Sequence, residues 1–300
     1  MTKDANNGHE GIDMAGKVCL VTGATAGIGA ETARGLAALG ATVILVGRRP
    51  DRGAEVRERI KRETGNQHIE FIPADLSIQA KIVEMAEEVR QRHDRLDVLI
   101  NNVGAIFARR VLSRDGIEMT FALNHLSYFM VTNLLLDLIA ASAPARIVNV
   151  SSAAHHGARI HFDDLQFQHG YFAMTAYGQS KLANLLFTYE LARRLEGSGV
   201  TVNALHPGFI ASNFGHNNPG MSGFVIRLSQ LFAASPQKGA ETSIYLATSA
   251  EVEGMTGKYF VNKKPVPSSP ESYDQEAAKR LWEISEEMTG LKERRGARSG

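Results

Sequence analysis

An α/β fold built on one doubly wound parallel sheet is predicted by three features of this 300-residue chain. Short apolar runs alternate with stretches of helical periodicity, a cluster of glycines follows the first run, and polar residues gather where the later runs end. That alternation sets strands side by side with helices on both faces, and ligands bind such sheets beyond the carboxyl ends of the strands.

The first run, Val18-Cys19-Leu20-Val21, reads as a buried strand, and Ala30, Ala33, Leu36, Ala37 and Leu39 recur behind it as one helix face. Gly23, Gly27 and Gly29 stand at the join, spaced G-x-x-x-G-x-G. Glycine there lets the chain turn tightly, lets backbone N–H groups approach a pyrophosphate and lets the helix close on its strand, so that the helix N-terminus faces the anion. A second run, residues 41–46, completes the β-α-β unit that a dinucleotide site needs. No Lys-Ser or Lys-Thr pair follows the loop, which disfavours a P-loop nucleotidase.

Pro50 and Asp51 open a charged helix that Gly65 ends, and residues 68–73 form a third strand running into Ala74-Asp75-Leu76. Residues 78–92 are amphipathic with Ile82, Met85 and Val89 inward, and a fourth strand at 96–100 meets Asn101-Asn102-Val103-Gly104. Residues 114–141 read as one helix, with Asn124, a weak helix former, among apolar neighbours. A fifth strand at 146–150 ends in Ser151-Ser152, and the irregular stretch 153–175 suits a loop over a site. A long helix is predicted at 176–196, then a sixth strand at 200–205 running into His206-Pro207-Gly208, and a Gly/Asn-rich flap at 211–222 with helical spacing at 224–232. Pro236 starts another helix, residues 258–261 form a short strand, and 265–270 read as a Pro/Ser linker into a C-terminal helix carrying Ala278, Leu281, Trp282 and Met288. The organisation expected is a flexible segment 1–14, a single domain 15–262, and a C-terminal helical extension with a basic tail, 263–300.

A formal charge of +1 and a pI near 7.9 give no electrostatic case for nucleic acid or an anionic membrane. The single cysteine, Cys19, falls in the first strand and reads as a buried structural thiol. No stretch is apolar enough to cross a membrane and no secretory pattern stands at residues 1–15, so a cytoplasmic location without integral membrane association is expected.

Tyr177 and Lys181 are four residues apart on a predicted helix, so both side chains can reach a common ligand. A cation about 4 Å from a phenol is worth roughly 4 kcal/mol at an effective dielectric of ~20, enough to lower its pKa by up to about 3. The same spacing at Tyr259 and Lys263 falls near a strand, where it spans about 13 Å and serves no single atom. Ser152 at a strand exit can donate to a carbonyl oxygen, and Asn124 can anchor a water or a lysine, although a cap and a locally satisfied amide are their ordinary roles. No G-x-S-x-G elbow surrounds Ser152, against a hydrolase.

Taken in order, TGATAGIG, NNVG, Asn124, VNVSS, YGQSK and HPG resemble the short-chain dehydrogenase/reductase family over residues 15–262. The runs SSAAHHGARIHFDDL, SKLANLLFTYELARRL and RLWEISEEMTG are similar to its retinol-dehydrogenase-like and WW-domain-oxidoreductase branch. The resemblance implies a Rossmann-type fold, a catalytic set of Asn124, Ser152, Tyr177 and Lys181, and a possible homodimer or homotetramer, with a monomer still open. It implies cofactor contacts from Gly23, Thr25, Gly27, Ile28, Gly29, Arg48, Asp75 and Leu76, and from Asn101, Gly104, Tyr177, Lys181, Pro207, Gly208 and Ile210. Val103 stands where the family has alanine.

The expected activity is hydride transfer between a nicotinamide cofactor and an alcohol/carbonyl pair, the alternative being a nucleotide-binding redox sensor or scaffold with little turnover. NADP is expected over NAD because Gly47-Arg48-Arg49 stands where an acidic residue would contact the adenosine ribose. An apolar substrate is expected from Phe162, Phe167, Tyr171, Phe172 and Met174 in one roof segment, and Phe209, Phe214, Met221, Phe224 and Leu228 in the other. His155, His156 and His161 lack a metal-ligand pattern; no metal is expected, and the three are read as lining the pocket mouth.

Overall fold

The computed structural model describes residues 13–208 and 235–292. Its sheet has the strand order β3-β2-β1-β4-β5-β6-β7-β8. The strands are β1 Val18–Thr22, β2 Thr42–Gly47, β3 Ile69–Pro73, β4 Val98–Asn101, β5 Ala145–Val150, β6 Val200–His206, β7 Tyr259–Val261 and β8 Lys264–Val266. All pairs are parallel except β7 with β8. The order reverses at β1, with β2 on one side and β4 on the other, so a crevice opens at the carboxyl ends of β1 and β4.

Successive strand residues point to opposite faces, and the two cores follow from that alternation. Leu20, Ile44, Leu99 and Ile147 face a layer formed by α3 (Gln79–Arg92), α5 (Ser127–Ala141) and α6 (Ala173–Arg194). Cys19, Val21, Val43, Leu45 and Val148 face the layer of α1 (Gly27–Ala38), α2 (Pro50–Thr64) and a helix at Pro236–Thr248, named α7. Cys19 is fully buried and its thiol is pushed far up by that burial, as expected for a structural cysteine.

Four elements differ from the sequence reading. The helix expected at 114–141 begins at α4 (Met119–Phe121), because Gly116 adopts φ +76° in a tight turn and Glu118 caps the helix by accepting from the N–H groups of Thr120 and Phe121. It then widens into a π turn, Ala122–Leu126, before α5. Helix α6 starts at Ala173, a few residues earlier than its pattern suggests. Part of the expected 265–270 linker is β8, joined to β7 by a hairpin turn in which Asn262 and Lys263 have φ +50° and +64°. Lys263 therefore sits in a turn and not on the strand that the span of about 13 Å assumed, and its amine pairs with Glu241 at 3.4 Å.

The C-terminal helix, α8 (Gln275–Thr289), packs along α6. Trp282 meets Phe129 edge-on at 4.9 Å between ring centroids, stacks with Phe187 at 5.7 Å and carries the Arg194 guanidinium 4.0 Å above its ring. Trp282→Ala is expected to lower the unfolding free energy by about 3–5 kcal/mol, read from a denaturation midpoint. A change below about 1 kcal/mol would mean that α8 is not part of the cooperative core.

Candidate active site

The glycine-rich turn is shaped by contacts that only glycine permits. A Cβ on Gly29 would lie 2.5 Å from the Gly23 carbonyl oxygen and 2.5 Å from the Asn102 amide, and Gly23 and Gly27 have φ +67° and +54°. Asn102 Nδ2 donates to the Thr22 carbonyl at 2.9 Å, while the Thr22 hydroxyl accepts from the N–H groups of Asn102 and Val103. Helix α1 has no side-chain cap and no acidic residue in its first turn, so its leading N–H groups are available to an anion. This cradle fits a dinucleotide pyrophosphate.

Asn101 departs from its expected role: its side chain is fully buried and donates to Thr132 and Asn149 inside the sheet, so the neighbouring Asn102 is the side chain braced against the loop. Asp75, just past β3, accepts from the Ser77 N–H at 3.0 Å and its hydroxyl at 2.7 Å, and Leu76 is buried beside it. The space over Gly47 is taken by Thr25, whose methyl would be 2.5 Å from a Cβ there. Arg49 is paired with Asp51, whereas Arg48 is exposed and makes no ion pair among the described residues. Gly104 faces Asn124 and the Lys181 amine, each 3.4 Å from where its Cβ would stand. Ile28 is the second residue of α1, and Pro207 and Gly208 follow β6; Phe209, Ile210 and the roof segment 210–232 lie outside the described residues.

The four candidate catalytic side chains come together from three elements. The Tyr177 phenol is hydrogen-bonded to Ser152, whose oxygen also accepts from the Ala154 N–H at 3.2 Å. Ser151 is excluded from this role, being buried with its hydroxyl donated to the Lys181 carbonyl at 2.8 Å. Lys181 Nζ lies 5.6 Å from the Tyr177 ring centroid and donates to the Val150 carbonyl at 3.0 Å. Asn124 serves as a brace: it accepts from Ala105 N–H at 2.9 Å and donates to Ala105 O and to Ser180 Oγ, which in turn donates to Tyr177 O. Its place in a π turn fits the tendency of such turns to occur at functional sites.

The electrostatics differ from the sequence expectation. Burial pushes the Tyr177 phenol up to about 12, against the smaller opposing effect of the Ser152 hydrogen bond. Burial also brings the Lys181 ammonium down to about 7. Lys181 makes no ion pair with a carboxylate among the described residues, and desolvation is the largest influence on both the phenol and the ammonium. Tyr128 was missed by the sequence reading: it is fully buried, donates to Val150 O at 3.3 Å and places its ring 5.7 Å from Lys181 Nζ. Its position four residues past Asn124 on an apolar helix was the available signal.

Residues 17–221 match the family pattern described as short chain dehydrogenase, more than half of the chain. The chain belongs to that family. Human retinol dehydrogenase 13 is 43% identical to this short chain dehydrogenase over 282 residues, covering 92% of this chain and 85% of its own. An uncharacterized protein from Mycobacterium paratuberculosis superposes with a TM-score of 0.75 at 33% identity, covering 93% of this chain and 95% of that one. The NADP complex of RhlG from Pseudomonas aeruginosa superposes with a TM-score of 0.66 at 31% identity, covering 83% and 95%.

The expected pocket lining is corrected in part. Phe162 lies under the Arg280 guanidinium, 4.3 Å from it, and packs with residues of α6 and α8. The Tyr171 hydroxyl donates to Phe107 O and contacts Thr120, holding two loops together. Phe172 and Met174 remain exposed, at 68% and 51%, beside the start of α6. His161 borders a surface recess with Phe167, Tyr171 and Phe172, whereas His155 is completely buried and lines no mouth. No cluster of metal-ligating side chains and no helix long and apolar enough to cross a membrane occur among the described residues.

Proposed function

We propose that this short chain dehydrogenase uses NADP(H) to interconvert a lipophilic alcohol and its aldehyde or ketone. The observation that carries the reading is the buried Tyr177 phenol joined to the Ser152 hydroxyl, one helical turn from Lys181, at the carboxyl edge of the sheet. When bound, the nicotinamide supplies or accepts the hydride. Ser152 donates to the substrate oxygen, and Tyr177 gives that oxygen a proton in reduction or takes one in oxidation. Lys181 steadies the phenolate and the ribose, and Asn124 keeps the loop after β4 in place through Ala105. Catalysis is assigned to residues 15–262, with 263–300 as an extension, and a cytoplasmic location is part of the proposal.

NADP(H) is favoured because Arg48 is free to fork onto a 2′-phosphate and no carboxylate replaces it at the end of β2. NADP in the RhlG complex and the retinoid named for the human relative support this cofactor and an apolar substrate. The test measures kcat/KM with NADPH and NADH over straight-chain and aromatic aldehydes. NADPH should win by at least about 10-fold, and each added methylene should raise kcat/KM by up to about fourfold, since its burial is worth roughly 0.8 kcal/mol. Preference for NADH, or a flat chain-length series, would sink the reading.

A further inference from the structure

Two histidines flank the candidate catalytic turns without entering the chemistry above, and both are bonded to the C-terminal extension. His125 follows Asn124 in the π turn and is 1% exposed, enclosed by Phe121, Phe129 and Phe187 at ring-centroid distances of 5.0, 6.5 and 6.3 Å. Its Nε2 lies 3.0 Å from the hydroxyl of Ser285 in α8. That hydroxyl spends its only proton on Leu281 O at 2.7 Å, so Nε2 must be the donor and Nδ1 the bare nitrogen. Nδ1 is buried without a hydrogen-bond partner among the described residues, and the fully buried Asn184 side chain of α6 interacts with the ring.

His155 has the opposite proton arrangement. Its Nε2 accepts the Ser269 backbone N–H at 3.1 Å, and since an amide only donates, the ring proton sits on Nδ1, which donates to the Ser152 carbonyl at 2.6 Å. Ser269 is itself anchored, because its carbonyl accepts from Ser272, whose hydroxyl contacts Ser268, and Ser268 contacts Tyr189 of α6. Tyr259 meets the ring in an edge-to-face contact at 5.0 Å between centroids, and His156 lies tilted against it at 4.0 Å.

We propose that His125 and His155 are positioning residues through which the C-terminal extension holds the turns of Asn124 and Ser152 in register for catalysis. The inference rests on the reading of Ser152 and Asn124 given above. It makes 268–289 a working part of the active site although no residue of that segment reaches it. Both rings are kept neutral: burial brings each down to about 4, opposed by Asn184 at His125, while at His155 His156 and His206 add to the effect and Ser152 and Glu271 oppose it.

The test has two arms. In the first, nitrogen NMR of the wild-type chain labelled in histidine reads the ring protonation, independently of any turnover. The Nε2–H form is expected for His125 and the Nδ1–H form for His155, both neutral at pH 6; a charged ring or a reversed tautomer at either site would overturn the proposal. In the second arm, Ser285→Ala removes the His125 acceptor, and His155→Asn keeps a donor for Ser152 O while dropping the bond to Ser269. Each should lower kcat about 10-fold at 25 °C, as expected when about 1–2 kcal/mol of a buried hydrogen bond is lost, with the NADPH Kd within about twofold of wild type. A merely structural role would lower the melting temperature and leave kcat unchanged, and that result overturns the proposal. Inactivity of the wild type towards all carbonyls would instead strike the proposed function and leave the ring assignments standing.

Discussion

Tyr177→Phe is expected to lower kcat by about 10²–10⁴-fold, the usual contribution of a positioned general acid or base. The ring is buried and keeps its packing in the variant, so the fold and the NADPH Kd should change little. The direction of the pH dependence follows from the raised phenol. With the group protonated up to about pH 12 in the chain alone, a proton is available for carbonyl reduction throughout the neutral range. Alcohol oxidation needs the phenolate and should rise with pH across the same range. Steady-state rates in both directions between pH 6 and 10 check this, and a phenylalanine variant retaining more than about a tenth of kcat would exclude proton transfer by Tyr177.

The parts of this architecture legible in the sequence are those set by local pattern. Alternating apolar runs located the parallel strands, and the glycine spacing located the turn whose tight approach of Gly29 to Gly23 the structure displays. Tyr177 and Lys181 were readable because a helix fixes the relation of residues four apart. What sequence could not supply were interactions between distant segments. Asn101 and Asn102 are adjacent and chemically identical, and only the pleat decides that one enters the sheet while the other braces the loop. The bonds from His125 to Ser285 and from His155 to Ser269 span 160 and 114 residues. The same holds for the lysine: its spacing from Tyr177 was visible, but the scarcity of countercharge around it is a property of the packed interior.

Lys181→Met is expected to disable the enzyme while making the chain alone more stable near neutrality. The activity loss should reach about 10²-fold, as for removal of one group that stabilises developing charge in a closed site, and NADPH should bind more weakly. The stability gain follows from burial. An unfolded lysine titrates near 10.4, whereas burial brings Lys181 down to about 7 in the folded chain. Between those values the unfolded state holds more protons, so wild-type stability falls as pH drops from about 10 to about 7, by up to roughly 1.4 kcal/mol per pH unit; below that window both states are protonated and the penalty is constant. Methionine fills a similar volume without a charge to desolvate, and the Val150 carbonyl keeps its bond from Tyr128. Melting curves of both proteins without cofactor should therefore show the variant higher at pH 7, with the gap closing by pH 10. A variant melting below wild type at pH 7 would mean that Lys181 is already held charged by groups within the chain, and that its cation does not depend on a bound anion.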